Sequence, residues 1–281
     1  MSTRTVIEAC RAEGRPALIA YLPVGYPTVE GSLAAMRAVV EAGADIVEVG
    51  VPYSDPVMDG PLIQDAAATA LTRGMRVDHV FDAVAAVRDA GATPVVMSYW
   101  NLVLRRGVDR FAADLAAAGG AGLIPPDLIP EEAGEWLRAS DAHDLDRIFL
   151  VAPSSTPERL ATVTSACRGF VYVASTMGVT GVRSQVGRAT ADLVSRVRAV
   201  TDLPACVGLG VSTGDQAAEV GALADGVIVG SALVRALTAD LADDGARDGA
   251  GTGELHPDLR TLRSLTADLA DGVRRARART G

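Results

Sequence analysis

Residues 44–61 read Ala-Asp-Ile-Val-Glu-Val-Gly-Val-Pro-Tyr-Ser-Asp-Pro-Val-Met-Asp-Gly-Pro, a strand-like run followed by a turn-rich loop. The first half is apolar and β-branched, which is typical of a parallel strand covered on both faces. Alternation along that strand places Glu48 on the face opposite Val47 and Val49. The loop is rich in proline, glycine and aspartate, and it carries Asp59. We therefore predict one acid on a rigid strand and a second on the adjacent loop, an arrangement suited to proton transfer at two points of one small molecule.

Glu48 has two interpretations. Burying a carboxylate costs free energy unless a charged partner or protonation offsets the loss of water. Glu48 either forms a structural ion pair with a buried arginine, or it lies near the end of a barrel strand and points towards a substrate. We favour the second interpretation. Asp59 and the nearby Asp55 would on their own be interpreted as turn or cap residues.

Strand-like and helix-like segments alternate along the chain, after a short leading helix at residues 4–13. Eight segments have the apolar pattern of buried strands: 17–24, 45–51, 94–99, 122–125, 147–152, 170–175, 204–208 and 226–230. Because a helical pattern follows each strand, the sequence predicts an α/β fold, a single (β/α)8 TIM barrel over residues 1–281 with an extra N-terminal helix. A doubly wound open sheet is the alternative, but no GxGxxG motif follows the first strand. Residues 243–256 are expected to be a flexible insertion before a final helix.

The composition narrows the possible functions. The formal net charge is -9 at pH 7, which argues against nucleic acid or an anionic membrane as the main partner. The chain has no run of about 18 apolar residues and no signal-peptide pattern, so we expect a cytoplasmic protein. Its cysteines and histidines are scattered without metal-ligand spacing, so we predict no metal. All 26 basic residues are arginine, which excludes a lysine Schiff base within this chain.

Two glycine-rich turns predict a phosphate site. Residues 208–212, Gly-Leu-Gly-Val-Ser, and residues 230–231, Gly-Ser, end the last two strands and precede helices. Backbone N–H groups at helix starts bind phosphate, and barrels often have a phosphate site after these two strands. The loop at 176–187 is long and carries three glycines, so it is either a lid or a mobile surface loop. Three tyrosines lie at or near strand ends and suit either core packing or a pocket for a flat ring: Tyr21, Tyr99 and Tyr172.

The motif at residues 48–64, Glu-x-Gly-x-Pro-x-Ser-Asp-Pro-x-x-Asp-Gly-Pro-x-Ile-Gln, closely resembles the signature of the tryptophan synthase alpha subunit family. Shorter matches at 23–27, 99–101, 127, 178–181, 208–212 and 230–231 extend the resemblance over nearly all of residues 14–240. The resemblance implies a lyase of L-tryptophan biosynthesis that cleaves indole-3-glycerol phosphate to indole and glyceraldehyde 3-phosphate without a Schiff base. It also implies a beta-subunit partner in an αββα assembly. Pyridoxal phosphate is expected in that partner, and no cofactor is expected in this chain.

The resemblance also implies roles for individual residues. Glu48 matches the acid that moves protons to indole C3 and from the glycerol hydroxyl, and Asp59 matches the carboxylate that stabilises positive charge at the indole nitrogen. Tyr172 matches a pocket tyrosine near the reacting centre, and Thr180 matches a lid threonine that bonds the counterpart of Asp59. The matches to phosphate contacts are Gly181, Gly210, Gly230 and Ser231. The matches to the indole pocket are Tyr21, Met97, Tyr99, Ile124 and Leu209. This sequence departs from many family members at Tyr21 and Leu209, where phenylalanine is common, and at the Pro125-Pro126 pair.

Two other functions remain open at this point. A non-catalytic regulator would bind the phosphate ligand and activate a partner, but we would expect it to lack one of the two acids. A different phosphate-binding barrel enzyme, such as an epimerase or a phosphate synthase, mostly needs metal ligands or a lysine. An assay of indole release, with and without a beta subunit, separates the three functions.

Overall fold

The computed structural model describes residues 1–174, 183–208, 210–247 and 258–276, and it describes no side chains at 183–187 or 243–247. The strands are β1 (Ala17–Pro23), β2 (Ile46–Gly50), β3 (Thr93–Met97), β4 (Gly122–Ile124), β5 (Asp146–Arg147), β6 (Leu150–Val151), β7 (Val171–Ala174), β8 (Ala205–Gly208) and β9 (Gly226–Val229). The helices are α1 (Thr3–Ala12), α2 (Val29–Glu41), α3 (Pro61–Thr72), α4 (Asp78–Asp89), α5 (Trp100–Arg106), α6 (Val108–Ala118), α7 (Gly134–Ala142), α8 (Pro157–Ala166), α9 (Arg183–Arg198), α10 (Gly214–Gly221), α11 (Ser231–Arg247) and α12 (Arg260–Arg275), with a 3-10 turn at Pro130–Glu132. Among the described helices, none combines the length and the apolar character needed to cross a membrane.

The sheet closes on itself through one interrupted strand. The strand order is β5-β4-β3-β2-β1-β9-β8-β7-β6, with parallel pairing throughout, and its two ends are parts of the strand predicted at residues 147–152. Between β5 and β6, the Ile148 N–H donates to the Leu123 carbonyl oxygen at 3.1 Å, and the Phe149 carbonyl accepts the Tyr172 N–H at 3.1 Å. This segment therefore pairs with β4 on one side and β7 on the other. The pairing confirms the predicted barrel and rules out the open sheet.

Alternation along the strands separates two buried layers. Val47 and Val49 pack between the sheet and the surrounding helices, whereas Ile46 belongs to a cluster inside the barrel. Because side chains alternate along a strand, Glu48 shares the inner face with Ile46, as the sequence predicts. The only charged residue of β2 is thus directed into the barrel interior.

Helix α1 covers the amino ends of the strands and is the predicted extra N-terminal helix. Its Ile7 and Cys10 side chains join the cluster inside the barrel. The buried carboxylate of Asp146 accepts hydrogen bonds from the Thr3 N–H and the Thr3 hydroxyl, both at 2.7 Å. A carboxylate at a helix N-terminus satisfies N–H groups that have no partner within the helix. The opposite end of the barrel, at the carboxyl ends of the strands, is the end available to a ligand.

Three elements differ from the sequence prediction. The helical pattern at residues 62–90 is divided into α3 and α4, because Gly74 adopts φ +88° between them, a conformation that ends a helix. The sequence pattern does not predict α5, which follows β3 almost directly. Helix α11 continues to Arg247, so the first five residues of the insertion predicted at 243–256 are helical, and the rest lie outside the described residues.

Candidate active site

A cavity of about 430 Å³ opens at the carboxyl ends of the strands. Most of the site residues predicted from the sequence line it: Tyr21, Glu48, Asp59, Met97, Tyr99, Tyr172, Gly210, Gly230 and Ser231. These residues lie on or just after strands that are far apart in sequence. Closure of the sheet brings the strand ends, and with them the predicted residues, to one mouth.

Four predicted site residues do not appear in the lining. Ile124 is fully buried in the cluster inside the barrel and does not line the cavity. Thr180, Gly181 and Leu209 lie outside the described residues, as do residues 176–182 of the predicted lid.

The cavity wall also contains residues that sequence reasoning did not single out, among them Val51, Met58, Gly60, Ile63, Ser98, Leu150, Ala174 and Ile228. Leu150 and Ile228 belong to strands, and counting inward-facing positions along those strands would have found them. Met58 and Ser98 depend on the paths of loops. Strand periodicity carries no information about those paths.

Glu48 has no hydrogen-bond partner in the described part of the chain. It lies in register with Tyr21 of β1 and Val95 of β3, and the residue is 1% exposed. Neither Oε1 nor Oε2 accepts or donates a hydrogen bond among the described residues. Burial raises the pKa of the Glu48 carboxyl to about 8, with no contribution from an arginine. The structural ion pair is thus absent from the described residues, and at neutral pH the acid largely keeps a proton that it can donate.

Asp59 lies on the loop between β2 and α3, where Tyr99 contacts it. The Tyr99 hydroxyl donates to Oδ2 of Asp59 at 3.4 Å and accepts the Met58 N–H at 3.0 Å. Burial raises the pKa of the Asp59 carboxyl, and the Tyr99 hydrogen bond opposes that rise. Unlike Glu48, Asp59 therefore has a donor that favours its charged form. Two acids in such different surroundings are suited to different roles.

Tyr21 and Tyr172 share the electrostatic environment of the two acids. The pKa of each hydroxyl is raised first by burial and further by the charges of Glu48 and Asp59. Glycines provide the space for the rings: a Cβ on Gly50 would lie 2.5 Å from Cε2 of Tyr21. A Cβ on Gly208 would lie 2.7 Å from the Tyr172 hydroxyl oxygen. Any larger residue at these two positions would displace a cavity tyrosine.

The cavity rim after β8 and β9 is formed by backbone rather than by cations. Gly210, with φ +64°, lines it together with Gly230 and Ser231, where α11 begins. The first N–H groups of a helix have no acceptor within it and carry partial positive charge, so they attract anions. No arginine is among the described residues that line the cavity. Among the described residues, the groups suited to hold an anionic ligand group are therefore mainly N–H groups.

The site thus offers a proton donor and a carboxylate at two points beside an apolar wall, with an anion-binding rim. In the described portion of the chain, no group of three or more histidine, cysteine or acidic residues could hold a metal ion. The arrangement suits acid-base cleavage of a flat apolar ring that carries a phosphorylated side chain.

Comparison with known proteins assigns the chain to a family. The family model of the tryptophan synthase alpha chain matches residues 7–253. The chain belongs to the tryptophan synthase alpha chain family. The tryptophan synthase alpha chain of Mycobacterium marinum is 66% identical over 232 residues, which are 83% of this chain and 86% of that relative. The resemblance noted at residues 48–64 is confirmed, and the chain is accordingly a lyase of tryptophan biosynthesis.

Solved structures of tryptophan synthase share this barrel. A structure of Mycobacterium tuberculosis tryptophan synthase has a TM-score of 0.86 at 59% sequence identity, and the match covers 97% of this chain and 98% of that chain. The tryptophan synthase subunit alpha of Legionella pneumophila has a TM-score of 0.83 at 29% identity, over 97% and 98% of the two chains. The tryptophan synthase alpha fold therefore tolerates extensive substitution without losing the barrel.

Proposed function

We propose that Glu48 and Asp59 of this chain together cleave indole-3-glycerol phosphate into indole and glyceraldehyde 3-phosphate. The observation that carries the assignment of roles is the position of Glu48: buried, without a partner among the described residues, and in the same cavity as Asp59. The mainly apolar wall suits the indole ring, and the backbone rim at Gly210, Gly230 and Ser231 suits the phosphate.

Glu48 donates one proton to the substrate and later accepts one proton from it. The neutral carboxyl first donates its proton to C3 of the indole ring, which leaves the ring cationic and Glu48 as a carboxylate. The carboxylate then removes the proton of the hydroxyl on the side-chain carbon that is bonded to C3. The C–O bond becomes the aldehyde C=O, the C–C bond to the ring breaks, and its electron pair returns to the ring. Indole leaves, and Glu48 is protonated again, so the acid is regenerated without a cofactor.

Asp59 stabilises the positive charge that develops on the ring nitrogen between these steps. A carboxylate is effective there because charge appears on the ring only after C3 is protonated, and a negative group near the nitrogen then lowers the barrier. The Tyr99 hydrogen bond supports this role, since it favours the charged form of Asp59.

The pyridoxal phosphate of the overall synthase reaction is assigned to the beta subunit. This assignment is supported by the absence of lysine from the chain, because pyridoxal phosphate is normally held by a lysine Schiff base. Three free, buried cysteines support a cytoplasmic location, where thiols stay reduced.

The beta subunit is proposed to dock over the loops beside the cavity. Four of the exposed large apolar side chains follow neighbouring strands of the sheet: Val57 and Met58 after β2, Leu104 after β3, and Ile129 after β4. Exposed apolar side chains grouped on one face are typical of a protein interface. A partner there would cover the cavity mouth and could receive indole directly. An αββα assembly is the form that the family leads us to expect.

The test is indole release from indole-3-glycerol phosphate by the purified chain, with and without a beta subunit. We expect activity in the wild type and its loss in Glu48→Gln and in Asp59→Asn, with the fold retained by circular dichroism. The matched control is Glu8→Gln, which neutralises an exposed acid on α1 and should leave turnover unchanged. Near-normal turnover in either site variant would overturn the assignment of roles. A wild type that binds the substrate without cleaving it would favour a regulator instead.

A further inference from the structure

A chain of contacts leads from the protein surface to Asp59 through two stacked tyrosines. The rings of Tyr53 and Tyr99 stack with their centroids 5.0 Å apart and their planes inclined by 27°. The exposed Asn101, on α5, donates its side-chain amide to the Tyr53 hydroxyl at 3.3 Å. The Tyr99 hydroxyl in turn donates to Asp59 and accepts from the Met58 N–H. Tyr53 does not line the cavity, so any contribution it makes to the reaction passes through Tyr99.

The tyrosine pair supports the loop that carries Asp59 from both of its ends. Tyr53 lies at the start of the loop between β2 and α3, and Asp59 lies near its end. The middle of the loop has little packing of its own, since Val57 is 84% exposed. Tyr99, by contrast, is 6% exposed and follows a strand of the barrel. A side chain on an exposed loop needs external support to hold its geometry. The Gln64 side-chain amide, on α3, donates to the Asp59 backbone carbonyl at 2.8 Å, and the buried Tyr99 holds the Asp59 side chain.

The Tyr99 hydroxyl is used both as a hydrogen-bond donor and as an acceptor. A phenol has one proton to donate, and here that proton goes to Asp59 while the oxygen accepts from Met58. A slide or tilt of the ring would weaken both hydrogen bonds at once. Stacking against Tyr53 opposes such motion on one ring face, and the Asn101 hydrogen bond holds the outer edge of Tyr53.

We infer that Tyr53 is a positioning residue: it holds the ring of Tyr99 in place, and Tyr99 in turn holds Asp59 in position. The inference rests on the proposed function, because it concerns how Asp59 is placed for the reaction. Tyr53 touches neither the cavity nor Asp59 and is not a catalytic residue. After burial, the charge of Asp59 contributes to the raised pKa values of Tyr21 on β1 and Tyr172 on β7, inside the barrel. Both tyrosines are carried by strands rather than by the loop.

The test compares Tyr53→Leu with Tyr53→Phe in the full chain, assayed alone so that partner docking does not enter. Tyr53→Leu removes the stack, and kcat/KM for indole release should fall about three- to tenfold, the range that corresponds to loss of one aromatic pair. The loss should lie in kcat rather than KM, because Asp59 acts on charge that appears during the reaction. Tyr53→Phe keeps the stack and should recover most of the activity.

Two further measurements distinguish a positioning role of Tyr53 from a general effect of the substitution on protein stability. Carbon-13 NMR of labelled aspartate should show a higher pKa for Asp59 in Tyr53→Leu than in the wild type, because the Tyr99 hydrogen bond that lowers this pKa is weakened. In the double variant Tyr53→Leu/Tyr99→Phe, the loss should be no greater than in Tyr99→Phe alone. If Tyr53 acts through the Tyr99 hydroxyl, removing that hydroxyl leaves nothing more for Tyr53 to contribute.

The matched control is Phe81→Leu, which breaks an edge-to-face pair with Phe111 at 5.7 Å between α4 and α6, together with the contact of the Arg106 guanidinium over the Phe81 ring at 4.7 Å. It should lower Tm while leaving kcat/KM and the pKa of Asp59 unchanged. If Tyr53→Leu behaves like Phe81→Leu, or if its loss adds fully to that of Tyr99→Phe, the inference is overturned. A wild type that releases no indole with or without a beta subunit would instead overturn the proposed function, and the Asp59 titration would still report on the contact between the tyrosines and Asp59.

Discussion

Replacing Glu48 with glutamine should stabilise the protein relative to the wild type, and increasingly so as the pH rises. Burial raises the pKa of this carboxyl from the ordinary 4.5 to about 8 in the folded protein. Between those values the folded state holds a proton that the unfolded chain has released. The free energy of unfolding of the wild type therefore falls as the pH rises through this range. The full shift corresponds to about 5 kcal/mol. Glutamine has nearly the same shape and stays neutral, so the variant lacks this dependence.

The assay is urea unfolding followed by circular dichroism, for both proteins, at several values between about pH 5 and pH 9. The difference in the free energy of unfolding should be smallest near pH 5, grow with pH, and level off above the folded-state pKa of Glu48. Glu8→Gln, on the exposed side of α1, is the control and should not reproduce this growth. A difference between Glu48→Gln and the wild type that stays constant across the range would refute the reasoning. It would mean that Glu48 is already ionised in the folded protein near pH 5.

Two other predictions concern the cavity and the partner surface. Gly208→Ala puts a Cβ 2.7 Å from the Tyr172 hydroxyl oxygen, so it should cost about 1–3 kcal/mol of stability and lower kcat/KM for indole release. Gly134→Ala, whose Cβ would have no neighbour closer than 3.8 Å, should do neither, and equal effects in the two variants would contradict the steric argument. Leu104→Glu should weaken binding of a beta subunit about tenfold or more in calorimetry without changing the turnover of the chain alone. Val200→Glu alters a similarly exposed side chain that precedes β8 rather than following a strand, and it should leave the Kd unchanged. An unchanged Kd in Leu104→Glu would remove that residue from the interface.

The barrel was predictable because each strand carries its own signal. Apolar runs of four to eight residues, separated by helical patterns, are local features, and eight such units have few ways to pack. Gly43 and Gly91 adopt positive φ just after α2 and α4, a conformation in which glycine ends a helix. The errors arose where local pattern is ambiguous. Residues 62–90 are helical on both sides of Gly74, and a single glycine within a helical pattern does not by itself predict that the helix ends there.

The contact between Tyr53 and Tyr99 could not have been read from the sequence. The two residues are separated by a loop, two helices and a strand, and neither sits in a periodic pattern that specifies its neighbour. Their stacking depends on the paths of the segments after β2 and β3, which adjoin only because those strands pair. Ile124, which the resemblance matches to the indole pocket, lies in the barrel interior without lining the cavity.

The sequence by itself determined that Glu48 faces inward on a buried strand, that Asp59 follows on the next loop, and that no lysine is available for covalent chemistry. The alternation of side chains along a strand and the presence or absence of a residue type are properties of the chain alone. Only the tertiary structure decided that Glu48 meets no buried arginine among the described residues and keeps its proton near neutral pH. Desolvation and pairing depend on which distant segments close around a group, and that is settled when β5 and β6 join the two ends of the sheet.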